Sequence, residues 1–205
     1  MKKGAATGAS QFSALPSSAA WRITGEPDRE GFEVAHFEQQ RGGVVIRGTS
    51  LGTEDGKLWS LRYVIALDAA WCTRSASIES ASGERLKLRS NGNGRFTVNG
   101  KREPRLDGCF DLDLEASLVT NMMPARRLAL RVGQASDAPA AYVRTNKLKV
   151  ERLEQSYARL ADARRHVIFD YESPRFGYRA ALRFARDGLV VDYPHIGKRV
   201  LGREL

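Results

Sequence analysis

From Trp21 onward, apolar and polar positions alternate in run after run. Trp59, Leu61, Tyr63, Ile65 and Leu67 are separated by Ser60, Arg62, Val64 and Ala66, the longest clean alternation in the chain. Successive side chains of a strand point to opposite faces, so this pattern predicts a strand with one buried face. The same reading predicts strands over residues 128–132, 167–171 and 178–184. Between such runs stand Asp55-Gly56, Asn91-Gly92, Asn93-Gly94, Asn99-Gly100 and Asp187-Gly188, dipeptides that tolerate the positive φ of tight hairpins. The unit from Tyr178 through Asp187-Gly188 to Tyr193, closed by Pro194, predicts a β-hairpin. Helical signal is sparse. Residues 148–165 place Leu148, Leu153, Tyr157 and Leu160 roughly on one helical face, but alternation through Leu148, Val150 and Arg152 favours strand. A short helical turn is expected around residues 120–123, stopped by Pro124. Residues 133–139 read as a loop. Many locally joined antiparallel strands predict a mainly β fold with minimal helix, built as a single highly curved antiparallel sheet or half-barrel. Residues 1–19 read as a flexible lead-in and 20–205 as one domain.

The richest stretch for chemistry begins at Gly108. There Phe110, Leu112 and Leu114 alternate with Asp111, Asp113 and Glu115, giving one apolar face and one row of carboxylates. A short irregular segment then leads to Asn121, Arg126 and Arg127. Asp111 and Asp113 on one strand face stand about 7 Å apart. Such a pair can accept hydrogen bonds from sugar hydroxyls, hold a hard cation or act as acid and base. It can equally form ion pairs with Arg126 and Arg127 on a neighbouring element. Only one of two consecutive strand residues points into a cavity, and Arg126 is chosen because Arg127 is in phase with Arg131. Asp68, Trp71 and Arg74 surround an expected bend. They offer either a sugar-binding ring with polar groups at its rim, or a core tryptophan with Asp68 capping a turn. Tyr157, Tyr171, Tyr178 and Tyr193 suit a cavity wall or a core with hydroxyls at the surface.

Charge changes the picture in one half only. The net charge is +9, yet residues 1–115 carry 16 basic and 15 acidic side chains while residues 116–205 carry 17 and nine. With 25 arginines against eight lysines, the basic half favours planar, bidentate contact with anions. Its arginines alternate with apolar residues along strands instead of clustering, which argues against nucleic acid. Cys72 and Cys109 form no CxxC pair and are too few for a metal site; two free, half-buried thiols are expected. GxSxG, HExxH and the Walker phosphate loop are absent, and His36, His166 and His195 share no pattern. No run is long enough to span a bilayer, and the N-terminal residues lack the apolar core of a secretory signal, so a cytoplasmic location is expected.

Four blocks carry a family resemblance: Asp68-x-x-Trp71-x-Thr73-Arg74, Asp107-Gly108-Cys109-x-Asp111-Leu112-Asp113, Thr120-Asn121-x-x-Pro124-x-Arg126-Arg127-Leu128, and Gly188-Leu189-Val190-x-Asp192-Tyr193-Pro194. In order and with compatible gaps, from about Trp21 to Arg199, the chain resembles bacterial proteins described as putative glycolipid-binding. The resemblance implies a spiral β-roll, a half-barrel-like sheet similar to the periplasmic lipoprotein carriers. It departs at Glu115-Ala116-Ser117-Leu118, where a proline-containing turn is more usual. Its functional implication is an analogy of shape. Together with the residues, it points to a glycolipid or lipid-like small molecule with an anionic or sugar head, held on the concave face of the sheet. The inner faces of residues 59–67 and 110–114 are expected to take the apolar part. Asp68, Trp71, Arg74, Asp111, Asp113, Asn121 and Arg126 are expected to address the head. No catalytic residue, metal or cofactor is assigned. The alternatives are an enzyme acting on a glycosyl or acyl compound through Asp111 and Asp113, and a basic protein associated with nucleic acid.

Overall fold

Strands form where the alternation runs longest, and long strands set the frame. The computed structural model describes residues 12–25, 28–163 and 165–201. The first long run of strands is β1 (Ser18–Gly25), β2 (Arg29–Gln40), β3 (Gly43–Glu54), β4 (Lys57–Asp68), β5 (Thr73–Ser80) and β6 (Arg85–Ser90), followed by the short β7 (Phe96–Val98) and β8 (Lys101–Arg102). After β9 (Asp111–Leu114) and the one α-helix among the described residues, α1 (Met122–Leu128), come β10 (Ala135–Asp137), β11 (Ala140–Val143), β12 (Val150–Leu153) and β13 (Ser156–Arg159). The chain ends with β14 (Val167–Ser173), β15 (Tyr178–Phe184), β16 (Val190–Tyr193) and β17 (Gly197–Leu201). Fourteen strands make one open antiparallel sheet in the order β10-β13-β14-β15-β16-β17-β1-β2-β3-β4-β5-β6-β7-β8. The expected curved antiparallel sheet is therefore present, with β17 beside β1 joining the two ends of the chain.

A second, three-stranded sheet, β12-β11-β9, lies against the first, with β11 parallel to β9. Thr73 on β5 fastens it: its N–H donates to the Phe110 carbonyl at 2.9 Å, and its hydroxyl accepts from the Leu112 N–H at 3.0 Å. The inner faces of β1 to β6, the apolar side of β9 and helix α1 together form one hydrophobic core. A buried carboxylate anchors the covering segment. Glu33, on the inner side of β2, accepts from the Tyr63 hydroxyl at 2.6 Å and the Leu118 N–H at 2.6 Å, and also from Ser117 and the Val119 N–H. Tyr63 reaches it by lying across Gly48, where a Cβ would stand 2.2 Å from the phenol.

Three expectations are corrected. Residues 128–132 are not a strand, because α1 runs to Leu128 and ends at Ala129 in the left-handed region, φ 46°. Pro124 does not stop the helix; it sits in the first turn, where a missing N–H leaves no helical hydrogen bond unmade. Residues 133–139 contain β10, which pairs with β13 at the sheet edge. Residues 148–165 carry strands where strand was favoured over helix, β12 from Val150 and β13 to Arg159. Of the expected lead-in, residues 1–11 lie outside the described residues. Beyond them the chain is anchored at two points: Phe12 is 5% exposed, and the Ser13 N–H donates to the Arg186 carbonyl at 2.7 Å. Both cysteines are free and buried. Among the described residues, no helix is long and apolar enough to cross a membrane.

Candidate binding site

Alternation along β9 turns Leu112 and Leu114 into the core and lines up Asp111, Asp113 and Glu115 on the opposite face. The ends of that row are each met by an arginine. Arg127, on α1, grips the fully buried Asp111 with Nε to Oδ1 at 3.0 Å and Nη2 to Oδ2 at 2.6 Å. Glu115 accepts from the Thr145 N–H at 2.7 Å and has Arg144 Nη1 at 3.4 Å. Asp113, between them, has only the Thr120 hydroxyl, which donates to Oδ1 at 2.9 Å. No cation of the described residues pairs with it. Burial therefore dominates its titration and pushes its pKa up to about 6; Thr120 opposes the rise, while Glu115 and Asp111 add to it.

Asp113 opens on a cleft of about 290 Å³. Five aromatic side chains wall it: Tyr142, Tyr171, Phe176, Tyr178 and Tyr193. The rings of Tyr171, Tyr178 and Tyr193 pack mutually, with centroids 5.8 to 6.2 Å apart, and Tyr142 and Phe176 are 5.8 Å apart. Burial raises the pKa of all four tyrosines, that of Tyr178 to about 12, so they remain neutral phenols. Glu115, Ser117, Asn121, Ser173 and Arg29 complete the polar lining, with Leu114, Leu153 and Ile196 beside them. Asn121 is held by the Tyr157 hydroxyl, which donates to its Oδ1 at 3.1 Å. Arg29 is engaged by other groups: Nη2 donates to the Glu115 carbonyl at 2.9 Å, and Nη1 is 3.8 Å from Glu54. Arg29, Tyr178 and Ile196 stand at the mouth, since they also line the outer groove shared with Asp28, Glu54 and His195. A roomier depression on the outer sheet face is bordered by the exposed side chains of Phe32, Leu51 and Leu58. It lacks the convergent buried polar groups that mark the cleft.

Of the seven residues singled out from the sequence, Asp113 and Asn121 line the cleft. The other five stand elsewhere. Asp68 closes a turn, its Oδ1 accepting from the Ala70 and Cys72 N–H groups at 3.0 Å each, with Arg74 at 3.6 Å. Trp71, at φ 66°, lies under the Arg126 guanidinium at 4.3 Å from the ring centroid. Arg126 also covers Phe12 and donates to the Ser13 carbonyl at 2.9 Å, so it pins the N-terminal segment. Its burial pushes its pKa down to about 10. Asp111 is consumed by Arg127. The choice of Arg126 over Arg127 as the head-group contact rested on strand alternation, which a helix does not obey.

The apolar walls expected for a ligand are also accounted for by the protein itself. Trp59, Leu61, Tyr63, Ile65, Leu67, Leu112 and Leu114 are all 8% exposed or less and belong to the core. The second sheet and α1 fill the inner face of the long strands. Sequence reasoning passed over Arg29, Ser117, Tyr142 and Phe176 as site residues, because distant segments bring them together. Tyr171, Tyr178 and Tyr193 did carry a signal, in their recurrence along the last strands.

Residues 18–199 match the family model described as putative glycolipid-binding. A solved structure of a DUF1089 family protein from Pseudomonas aeruginosa is similar to this chain at 26% identity. The similarity covers 97% of this chain and 100% of that one, with a TM-score of 0.67. No curated protein matches.

Proposed function

The chain belongs to this glycolipid-binding family, and from that premise we propose that it binds the hydroxylated, sugar-type head of an amphipathic molecule in the Asp113 cleft. The carrying observation is a carboxylate without a cation that opens on a pocket walled by five aromatic rings. Sugar recognition needs that combination: ring faces against the C–H groups, and acceptors and donors for the hydroxyls. The volume, about 290 Å³, equals that of roughly ten waters, which suits one sugar ring rather than a whole lipid. The inner sheet face is filled by side chains, so an acyl tail leaves past Arg29, Tyr178 and Ile196 and adds little from inside.

The enzyme alternative through Asp111 and Asp113 loses support, because Arg127 holds both oxygens of Asp111. The experiment is isothermal titration with a soluble alkyl glycoside. Asn121→Ala is expected to weaken binding at least tenfold, since it strips a polar partner from the site, while Arg74→Ala leaves it unchanged. An affinity equally reduced by both variants, or one that collapses with added salt as anion binding does, would count against the cleft.

A further inference from the structure

Resting on that reading, we infer that the cleft selects a head bearing a protonated amine, an amino sugar or comparable ammonium, over its neutral hydroxyl counterpart. The argument starts from the carboxylate row. Three acidic side chains share one face of β9 and its extension, and the protein supplies an arginine to each end, Arg127 to Asp111 and Arg144 to Glu115. It supplies none to the middle. Thr120 occupies one oxygen of Asp113, and among the described residues no second donor hydrogen-bonds this carboxylate.

Asp113 is half-buried; a carboxylate partly removed from water without a counter-charge is unfavourable, and a ligand cation relieves that where a hydroxyl only solvates it. The remaining walls favour the same ligand. Glu115 puts a second carboxylate into the lining, and the single guanidinium there, Arg29, is directed to the Glu115 carbonyl and toward Glu54. Tyrosine and phenylalanine faces attract cations through their quadrupoles and are commonly used to surround ammonium groups. An anionic head, which the basic composition suggested, would meet two carboxylates. In the basic half, Arg175 is matched with Glu151 and Arg179 with Asp170.

Three probes of one chain length separate the possibilities at neutral pH: an alkyl glucoside, its 2-amino-2-deoxy analogue and its 2-N-acetylated analogue, each titrated into the full chain by calorimetry. The amino analogue is expected to bind at least tenfold more tightly than both neutral probes. In Asp113→Asn that advantage should shrink to about twofold or less, with the glucoside still bound. Equal affinities, or tighter binding of a neutral probe, overturn the amine inference and leave the sugar-head reading standing. No binding of any probe overturns both. An amine preference that survives in Asp113→Asn assigns it to other acidic groups and overturns the role of Asp113. The ranking of the three probes on the unaltered protein decides the matter even if the variant folds poorly.

Discussion

Two aspartates on one face of one short strand should respond to the same substitution with opposite signs. Burial without a cation lifts Asp113 from an ordinary 3.8 to about 6. The folded state then holds the proton more tightly than the unfolded chain does, so ionisation of Asp113 works against folding. The penalty is absent below about pH 4, where both states are protonated, and grows as pH rises toward 6. It is constant above that, at up to about 3 kcal/mol from two pH units at 1.36 kcal/mol each. Asp113→Asn keeps the shape and removes the titration. Relative to the unaltered protein it should therefore gain stability as pH rises from about 4.5 to 7.5, by about 2 kcal/mol. Asp111→Asn, by contrast, breaks the bidentate pair with Arg127 and leaves a guanidinium unmatched over Phe110. That should cost about 3 to 5 kcal/mol. Urea unfolding followed by tryptophan fluorescence across this pH range measures both. If the Asp113→Asn difference is flat with pH, or if both variants are destabilised alike at pH 7.5, the assignment of one aspartate to structure and the other to a site is wrong.

Two further outcomes follow from buried groups away from the cleft. Glu33→Gln replaces an acceptor of two backbone and two hydroxyl hydrogen bonds by an amide that cannot accept on both sides. A loss of about 1 to 3 kcal/mol is expected, with faster hydrogen exchange at Leu118 and Val119. Burial pushes the Cys109 thiol up to about 11 and the Cys72 thiol upward as well. Near pH 7.5 neither should react appreciably with a thiol reagent in the native protein, and both should react in denaturant, as counted by absorbance.

The frame of this molecule is legible because a strand with one buried face writes itself as period two. Residues 59–67 became the centre of β4, and the hairpin from Tyr178 to Tyr193 formed around Asp187-Gly188 as its turn chemistry demands. The same code fails over short windows. Alternation in residues 128–132 lost to a helix whose first turn accepts Pro124. In that helix, neighbouring residues diverge by about 100° rather than 180°, so Arg127 goes to Asp111 and Arg126 to Trp71 and Phe12. A buried apolar face also reads identically whether a ligand or the chain's own second sheet covers it, which is why the walls assigned to a lipid tail turned out to be core. Polar groups discriminate better, because a buried carboxylate must be answered by something. The row Asp111, Asp113, Glu115 was visible in the sequence; that Arg127 and Arg144 answer only its ends depends on α1 and on the turn after β11. The functional candidate is therefore the residue that breaks a pairing rule its neighbours obey. Such a violation persists in a stable fold when a partner from outside completes it.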